Sequence, residues 1–547
     1  MGPRIFFNRV GRLGNNIIQY MAALLIQKVF GHEIVAYEST LQNPLKITDE
    51  SPQWEIFCDL FLIGRTEIKG FPFEGRDLLL EGFFQRSDIY LENRQYLLSK
   101  FTAESKDRLN YHISVSDLVK AQGADTKGSC VVHFRLDDFQ QSDTYSRILH
   151  PSFFTDLLRK ELIPLHIVCQ APTKVEEKMY LAIFDEFSPT LHHGSVLEDF
   201  ATLRDAETLI ASNSTFAWTA AFLGHQKRTL PQMDDMPPQT LLAIEATDTV
   251  LPCRFVNLHE FSIGDSVQLF AGEDFQSLCD CTVLTREKYE YHQFLTDYVP
   301  KERLLFLDDS WSTHRDAARV FAYTDDLDEA IKKACDYFSG PRLFMIHNGD
   351  TEISFKEISP LLEKFPSVQV FLQNNTIDHP RIRSLPMGVQ NKMWRPFNPN
   401  IPYTPSYDLA NKTICVLSSH FGASHPIRKQ IVHEVSSMNK DGLCILSRCS
   451  FSDYIEKTEK AIFSICPRGN AQDTHRLWET LYSHAIPVVI DGPFIRQLIK
   501  TLHLPLCIVE LGAIEEGITQ YEKKLGTKIE CPVYLHLQFW RLLFETY

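Results

Sequence analysis

Short apolar runs alternate with amphipathic stretches along most of this 547-residue chain. From Arg303 onward the alternation is regular: Leu343–His347 has the length and content of a buried strand, whereas His475–Ser483 spaces its apolar residues as a helix does. Strands that alternate with helices form parallel sheets. The pattern therefore predicts an α/β fold, with two Rossmann-like lobes facing a cleft at about 300–400 and 410–540.

The N-terminus shows the same alternation around a turn that carries glycines. Arg4–Tyr37 is typical of a strand, a turn, an amphipathic helix and a second strand, and the turn contains Gly11, Arg12, Gly14 and Asn15. Glycine permits positive φ and close backbone approach, and the following helix presents free N–H groups and the positive end of its dipole. The segment indicates either a site for a phosphate or polar sugar, or a purely structural turn.

A second segment places charged residues where a strand should end. In Ser129–Asp138, an apolar run is followed by His133, Arg135 and Asp138. Ligands of open α/β sheets bind at the carboxyl ends of strands, and the planar fork of Arg135 suits a diphosphate. Asp138 could orient that arginine or take a proton from an acceptor hydroxyl. A surface salt bridge between the two is the alternative.

A third segment, Asp205–Gly224, runs from a strand into a helix rich in Phe, Trp and Ala. The turn between them is formed by Ser212, Asn213, Ser214 and Thr215. Small hydroxyl residues cap the free N–H groups at a helix start, and the same groups can hold phosphate oxygens. Both interpretations, capping alone and phosphate binding, are compatible with the pattern.

In this order, the three segments resemble the α1,2-fucosyltransferase family, which carries GRLGNQ-type, HxRRxD and SNSTFSWW-type motifs. This chain has GRLGNN, HFRLDD and SNSTFAWT within roughly its first 230 residues. The resemblance implies that Arg135 contacts the donor diphosphate, that His133 and Asp138 shape the site, and that the SNST turn holds donor phosphate or ribose. Leu136 replaces the second arginine of HxRRxD and Thr219 replaces the second tryptophan, which leaves the donor and the activity of this half open.

In the C-terminal half, candidate chemistry concentrates after one buried strand. That strand ends at Arg468, Gly469 and Asn470, and the next helix carries Arg476 and Glu479. The latter two are three positions apart and share a helical face. An arginine at a helix start suits a diphosphate, and a carboxylate suits a ribose diol. An Arg–Glu pair on a solvated helix face is the alternative.

Ser418 and Arg428 flank another strand–loop–helix turn upstream, which could face the same cleft. Capping by the serine and a surface position for the arginine are equally compatible with the pattern.

The C-terminal segment resembles exostosin-like glycosyltransferases, which carry CPRG, RxxEAL and IPV in this order. This chain has CPRGN, RLWETL and HAIPVV, so Arg468, Arg476 and Glu479 are the matched positions. The resemblance implies binding of a nucleotide diphosphate-sugar without an obligatory metal. His484-Ala485 stands where the family has a small residue before IPV.

Composition narrows the class of protein. A net charge of −15 and a pI near 5.7 argue against a nucleic-acid partner. No run approaches the ~20 apolar residues of a membrane span. The 13 cysteines are scattered, which favours reduced thiols and a cytoplasmic location. Cys279 and Cys281 are the only close pair, and such a pair alone is weak evidence for zinc.

These patterns together predict two tandem GT-B-like glycosyltransferase units: 1–240 (fucosyltransferase-like) and 296–547 (exostosin-like), joined by a linker or irregular segment at 241–295. The predicted function is bifunctional sugar transfer from nucleotide-sugar donors, GDP-fucose in the first half and a UDP- or GDP-sugar in the second, to a glycan or glycoprotein acceptor. No cofactor or metal is predicted, because arginines can stabilise the leaving diphosphate, although the pattern does not rule out a divalent ion. The alternatives are one active half beside a degenerate acceptor-binding platform, and a non-catalytic carbohydrate-binding scaffold.

Overall fold

The computed structural model describes residues 2–7, 11–35, 43–65, 68–136, 148–160, 163–232, 243–263, 266–267, 269–291, 297–391, 401–402, 404 and 406–547. The chain divides into two compact units. The first comprises Met1–Thr173 and Phe187–His259, and the second comprises Lys174–Glu186 and Glu260–Tyr547. A 13-residue segment inside the N-terminal half of the sequence therefore belongs to the second unit.

Two parallel sheets form the framework of the first unit. The strands up to His259 are β1 (Arg4–Phe7), β2 (Glu33–Ile34), β3 (Leu45–Ile47), β4 (Leu78–Leu80), β5 (Cys130–His133), β6 (Ile148–Leu149), β7 (Leu165–Val168), β8 (Thr190–His192), β9 (Thr208–Ile210), β10 (Lys227–Gln232), β11 (Thr249–Pro252) and β12 (Phe255–Val256). The sheet orders are β2-β1-β4-β3 and β11-β10-β9-β5-β7-β8, with all neighbours parallel. An antiparallel ribbon joins β6 and β12.

Helices cover these sheets, and one hydrophobic core connects them. The helices in this part of the chain are α1 (Leu13–Phe30), α2 (Pro52–Leu62), α3 (Ser87–Glu92), α4 (Arg94–Leu98), α5 (Val115–Lys120), α6 (Pro151–Leu158), α7 (Val175–Ala182), α8 (Val196–Arg204) and α9 (Thr215–Leu223), of which α7 lies in the second unit. The core contains Ile17 and Met21 of α1, Leu78 of β4 and Leu209 of β9. Burial of α1 explains why this helix is apolar over most of its surface.

The second unit also contains two parallel sheets. Its strands are β13 (Ser266–Val267), β14 (Cys281–Leu284), β15 (Leu304–Phe306), β16 (Arg319–Tyr323), β17 (Leu343–His347), β18 (Gln369–Leu372), β19 (Ile382–Ser384), β20 (Ile401–Pro402), β21 (Ser406–Asp408), β22 (Ile414–Ser418), β23 (Leu443–Ile445), β24 (Ala461–Ile465), β25 (Ile486–Ile490), β26 (Cys507–Val509) and β27 (Lys528–Glu530). The order β15-β14-β16-β17-β18-β19 defines the first lobe, and β23-β22-β24-β25-β26 defines the second lobe. Two antiparallel ribbons, β13–β20 and β21–β27, complete the pairing.

Each lobe of the second unit has its own core. The helices are α10 (Gly272–Ser277), α11 (Arg286–Tyr291), α12 (Leu327–Tyr337), α13 (Phe355–Lys364), α14 (Ile427–Ser437), α15 (Phe451–Glu459), α16 (His475–Tyr482), α17 (Pro493–Thr501), α18 (Ile514–Glu522) and α19 (Leu537–Phe544). Val320 and Phe344 lie in the core of the first lobe, and Val416 and Val488 lie in that of the second. Short 3₁₀ helices cover Ile183–Phe187, Leu258–Phe261, Lys301–Arg303, Leu409–Asn411 and Val533–Leu535.

The predicted α/β fold class is confirmed: the chain forms two units, and each contains two Rossmann-like parallel sheets. The segment 241–295, predicted as a linker or irregular, instead contains ordered elements. Within it, β14 is fully buried and pairs with both β15 and β16. The second unit thus begins before residue 296, because an apolar strand of four residues among acidic neighbours forms part of the first lobe's core.

Features relevant to membranes, metals and thiols complete the description. In the part of the chain that the structure describes, no helix combines the length and the apolar character needed to cross a bilayer. All 13 cysteines are free thiols. Cys279 and Cys281 are both buried, and burial raises the pKa of the Cys281 thiol to about 12. Among the described residues, no three His, Cys, Asp or Glu side chains gather as a metal site would require.

Candidate functional site

In the first unit, the N-terminal ends of helices α1 and α9 contact each other. A Cβ atom on Gly14 would lie 2.5 Å from the backbone nitrogen of Phe216 and 2.6 Å from the carbonyl carbon of Thr215. Only glycine allows backbones to approach so closely. The first turns of α1 and α9 therefore meet, and their dipoles place positive potential at one point.

The second and third predicted segments come together beside this point, because β5 and β9 are neighbours in the sheet. His133 Nδ1 lies 2.7 Å from the Ser212 hydroxyl, and Arg135 Nη1 donates to the Ser214 hydroxyl at 3.5 Å. Ser214 caps α9 by accepting from the Phe216 N–H at 3.3 Å. Capping and a contact to the candidate arginine thus occur on the same hydroxyl.

Residues of the glycine-bearing turn contact partners that no motif indicated. Gly11 has a φ of +83°. Arg12 Nη1 donates to Gln170 Oε1 at 3.4 Å, and Asn15 Oδ1 accepts from Gln85 Nε2 at 3.1 Å. The turn is therefore joined to the end of β7 through Gln170, a contact between residues far apart in the sequence.

The remaining candidates of this half are mostly buried. Asn213 and Thr215 are buried, and the Thr215 carbonyl accepts from the Thr219 hydroxyl at 2.8 Å. Leu136, which stands at the position of the second arginine of the HxRRxD motif, is only 3% exposed. Asp138 lies outside the described residues, so its predicted role stays a prediction.

In the second unit, loops from the carboxyl ends of both sheets contact each other. Arg468 follows β24 and its Nη2 donates to Glu352 Oε1, beyond the end of β17, at 3.0 Å. Gln472 Nε2 donates to the same carboxylate oxygen. The predicted cleft between the lobes is thus bridged at one point by Glu352, a residue that no sequence motif marked.

Arginines gather around the loop that carries Gly469. Arg428 Nε donates to the Arg468 carbonyl at 2.8 Å, and its Nη2 would lie only 3.0 Å from a Cβ on Gly469. Burial, and then the charge of Arg476, lower the pKa of the Arg428 guanidinium. Arg428 is therefore a half-buried brace for this loop rather than a surface side chain, and it adds positive potential there.

Arg476 reaches the same region from the first turn of α16. Its Nη2 donates to the His420 carbonyl at 3.2 Å, and its guanidinium lies over the rings of Phe421 (4.8 Å) and Tyr454 (5.3 Å). Its Nη1 is buried and donates no hydrogen bond to any described residue. A buried cationic N–H without an acceptor is costly, so the position favours an anionic ligand.

Glu479 shares the face of α16 with Arg476, as predicted from their spacing. It is half-buried. Burial raises the pKa of Tyr454 most, the negative charge of Glu479 raises it further, and the charge of Arg476 lowers it. Both charged groups therefore lie close to the Tyr454 ring. Burial raises the pKa of the Cys466 thiol. The charge of Arg476 lowers that pKa and the charge of Glu479 raises it.

The serines at the end of β22 differ from each other. Ser418 is the last residue of that strand, and its carbonyl accepts from Leu446 N at 2.8 Å, so its backbone serves the sheet. The Ser419 hydroxyl is buried and has no hydrogen-bond partner among the described residues. Asn470, the other predicted loop residue, is exposed and its carbonyl accepts from Arg468.

A buried aspartate, missed in the sequence, lies between the lobes. The Asp473 carboxylate accepts from Met387 N (2.8 Å), Thr474 N (2.7 Å) and Trp478 Nε1 (2.9 Å). Burial raises its pKa to about 6. An Asp before a Thr and a helix is typical of ordinary capping, and no local signal could have separated the two cases.

Comparisons with known proteins add little to this geometry. No protein-family model and no curated protein sequence matches the chain. Similar solved structures include a glycotransferase of kitacinnamycin, with 7% identity over 76% of this chain and 98% of that one at a TM-score of 0.21. They also include an alpha-glucosyltransferase in complex with UDP-glucose and DNA containing an abasic site, with 9% identity over 65% and 89% at a TM-score of 0.21.

A third similar structure is an α,α-trehalose 6-phosphate synthase from Burkholderia multivorans, with 10% identity over 77% of this chain and 94% of that one at a TM-score of 0.16. TM-scores and identities this low carry no argument about the activity of this chain.

Proposed function

We propose that the chain is a bifunctional glycosyltransferase in which each unit moves a sugar from a nucleotide-sugar donor to a glycan or glycoprotein acceptor. The observation that carries the proposal is the gathering of Arg428, Arg468 and Arg476 around Gly469, at the carboxyl ends of parallel strands. Ligands of open α/β sheets bind at such strand ends. Guanidinium groups are suited to a diphosphate by charge and by geometry.

A diphosphate also accounts for the polar groups that lack partners. Arg476 Nη1 and the Ser419 hydroxyl are both buried without a hydrogen bond among the described residues, and Arg476 Nη2 donates to the carbonyl of His420, the residue that follows Ser419. A phosphate oxygen would accept from both. Glu479, next to Arg476 on α16, would accept from the ribose hydroxyls.

The proposed chemistry assigns the protein an electrostatic role. The acceptor hydroxyl oxygen forms a bond to the anomeric carbon of the donor, the bond from that carbon to the diphosphate oxygen breaks, and the hydroxyl proton passes to the leaving diphosphate. Charge grows on the leaving diphosphate, where Arg468 and Arg476 stabilise it. This half would use a UDP- or GDP-sugar and would need no metal ion for that step.

A second site in the first unit is supported by a separate observation. The first turns of α1 and α9 meet at Gly14, and Arg135 reaches the cap of α9 at Ser214. Two helix N-termini and one arginine suit the phosphates of a donor, which the resemblance suggests is GDP-fucose. Arg135 would carry the main cationic contact.

The alternative of one degenerate half also has an observation in its favour. Leu136 is an apolar, buried side chain at the position where the α1,2-fucosyltransferase motif has its second arginine. If that loss removed transfer, the first unit would serve as an acceptor-binding platform, and only the second unit would turn over.

Calorimetric titration of the full chain with UDP and, separately, with GDP tests the proposal. The unmodified chain should bind a nucleoside diphosphate in each unit. Arg476→Ala should remove binding in the second unit alone, and Arg135→Ala should remove binding in the first unit alone. Nucleoside diphosphate release from a panel of UDP- and GDP-sugars should follow the same separation.

Matched arginine variants provide the controls. Arg541→Ala removes a half-exposed side chain of the second unit that pairs with Glu545 and lies over Phe261. Arg108→Ala removes a side chain of the first unit that donates to the Tyr111 carbonyl. Both should bind as the unmodified chain does. Binding that survives in the double variant Arg135→Ala/Arg476→Ala would refute both sites, and activity in the second unit alone would favour the degenerate platform.

A further inference from the structure

Asp473 connects the two lobes of the second unit through its carboxylate. It lies in the loop that precedes α16 and is 1% exposed. Its Oδ2 accepts from the backbone N–H of Met387, which follows β19 in the first lobe, at 2.8 Å. The same carboxylate accepts from Trp478 Nε1, on α16 itself, at 2.9 and 3.0 Å. One side chain therefore ties α16 to the first lobe.

The backbone around Asp473 makes further contacts with the first lobe. The Asp473 N–H donates to Asn374 Oδ1 at 2.9 Å, and Asn374 has a φ of +58° in the turn after β18. His475 Nδ1 lies 2.9 Å from the carbonyl oxygen of Gly388. On the side of the second lobe, these contacts are made by residues 473–475, directly before Arg476 of α16. We call the set of contacting residues the clasp: Asp473, His475, Asn374, Met387 and Gly388.

The chemistry of the clasp is unusual for a purely structural contact. A buried carboxylate is costly unless it is fully hydrogen-bonded, and replacing buried charges with apolar residues is often neutral or stabilising. The cost of burying this carboxylate is thus offset by hydrogen bonds from N–H groups of the first lobe, of the loop before α16 and of α16 itself. The strength of these hydrogen bonds therefore depends on the relative positions of the first lobe, the loop and the helix.

We infer that Asp473 is a positioning residue of the second active site, which holds α16 and its Arg476 in register with the first lobe. The inference rests on the proposed function. The arginines proposed for the diphosphate and Glu479, proposed for the ribose, all belong to the second lobe, so loosening the clasp should leave nucleotide binding largely intact. It should slow transfer, because the first lobe then no longer meets the donor in a fixed geometry.

Two variants loosen the clasp in different ways. Asp473→Asn keeps the shape but places an amide NH₂ group where a carboxylate oxygen faced an N–H donor. Asn374→Gly removes the acceptor of the Asp473 N–H and tolerates the positive φ. The control is Asp408→Asn, which weakens the cap that Asp408 forms with Ala410 N at 2.9 Å in the second lobe.

All three variants are made in the full chain carrying Arg135→Ala, so that only the second site reports. UDP and GDP affinities are measured by calorimetry, and nucleoside diphosphate release is measured with a panel of UDP- and GDP-sugars. Hydrogen exchange is measured on peptides covering 385–389. Asp473→Asn and Asn374→Gly should keep nucleotide affinity within about threefold, slow release on the order of 10–100-fold and speed exchange at 385–389. Asp408→Asn should change none of these.

Three outcomes overturn the inference, and they are distinguishable. Unchanged release in both clasp variants shows that the contact does not position the site. Equal losses of affinity and release, with a lower melting temperature, show a role in folding only. If the Arg135→Ala parent binds neither UDP nor GDP, the proposed function fails first and the inference falls with it.

Discussion

Removing one partner of the buried ion pair between Glu186 and Arg383 should strongly destabilise the second unit. Glu186 lies in the segment that the chain contributes to this unit from within its N-terminal half. Each side chain is only 10% exposed. The Arg383 guanidinium also lies over the rings of Phe371 (5.7 Å) and Tyr547 (5.9 Å), so it has no easy route to water if its partner is removed.

The expected magnitude follows from the burial of both charges. Removing one partner of a buried pair costs about 3–5 kcal/mol, because it leaves an uncompensated charge, whereas replacing both by apolar residues is close to neutral or stabilising. Glu186→Met and Arg383→Met should each destabilise the second unit by that amount. The double variant should be far more stable than the sum of the two losses implies, within about 2 kcal/mol of the unmodified chain.

Guanidinium chloride denaturation of the full chain measures these changes, and hydrogen exchange identifies which unit unfolds. Lys178→Met is the matched control on α7, since its pair with Glu530 is exposed (41% and 76%) and should contribute at most about 1 kcal/mol. Single variants within about 1 kcal/mol of the unmodified chain, or strictly additive losses in the double variant, would refute the reasoning.

Three further outcomes are expected. Gly14→Ala should destabilise the first unit by about 1–3 kcal/mol in thermal melts, since its Cβ would stand 2.5 Å from Phe216 N; Gly340→Ala, whose Cβ meets no atom within 4 Å, should not. The fragment 296–547 lacks β14, which lies between β15 and β16, so its first lobe should lose hydrogen-exchange protection; protection of β16 and β17 equal to that in the full chain would contradict this topology. The pKa of Asp473 is raised by burial from 3.8 to about 6, so its contribution to stability is full below pH about 3.8 and is lost as the pH rises through 6. The unfolding free energy of the unmodified chain, relative to Asp473→Asn, should therefore be about 1 kcal/mol higher at pH 5 than at pH 7.5, and an equal difference at both pH values would refute the assignment.

Local pattern was sufficient for most elements of the second unit. The strand predicted at Leu343–His347 has the observed bounds, and the helix predicted at His475–Ser483 ends one residue earlier. Buried strands of a parallel sheet are apolar throughout, and helices covering them carry one apolar face, so both leave a periodic trace in the sequence. The positions of Arg468, Arg476 and Glu479 near one loop followed from the same pattern.

Other features of the candidate sites depended on contacts that have no local trace. The interpretation of 241–295 as irregular was wrong for Cys281–Leu284, because four buried residues among acidic neighbours are too few to show a period. Arg428 was compatible with a surface position until the fold placed it against the Arg468 carbonyl.

The tertiary structure alone decided where the segment at 174–186 and Asp473 belong. Lys174–Glu186 follows β7 as any connecting helix would, yet it is part of the second unit. Asp473 looks like a helix cap in sequence, yet it accepts a hydrogen bond from Met387, 86 residues away. Periodicity reports which face of an element is covered, whereas the identity of the covering element is set by packing between residues distant in the chain, and that information is absent from any short stretch of sequence.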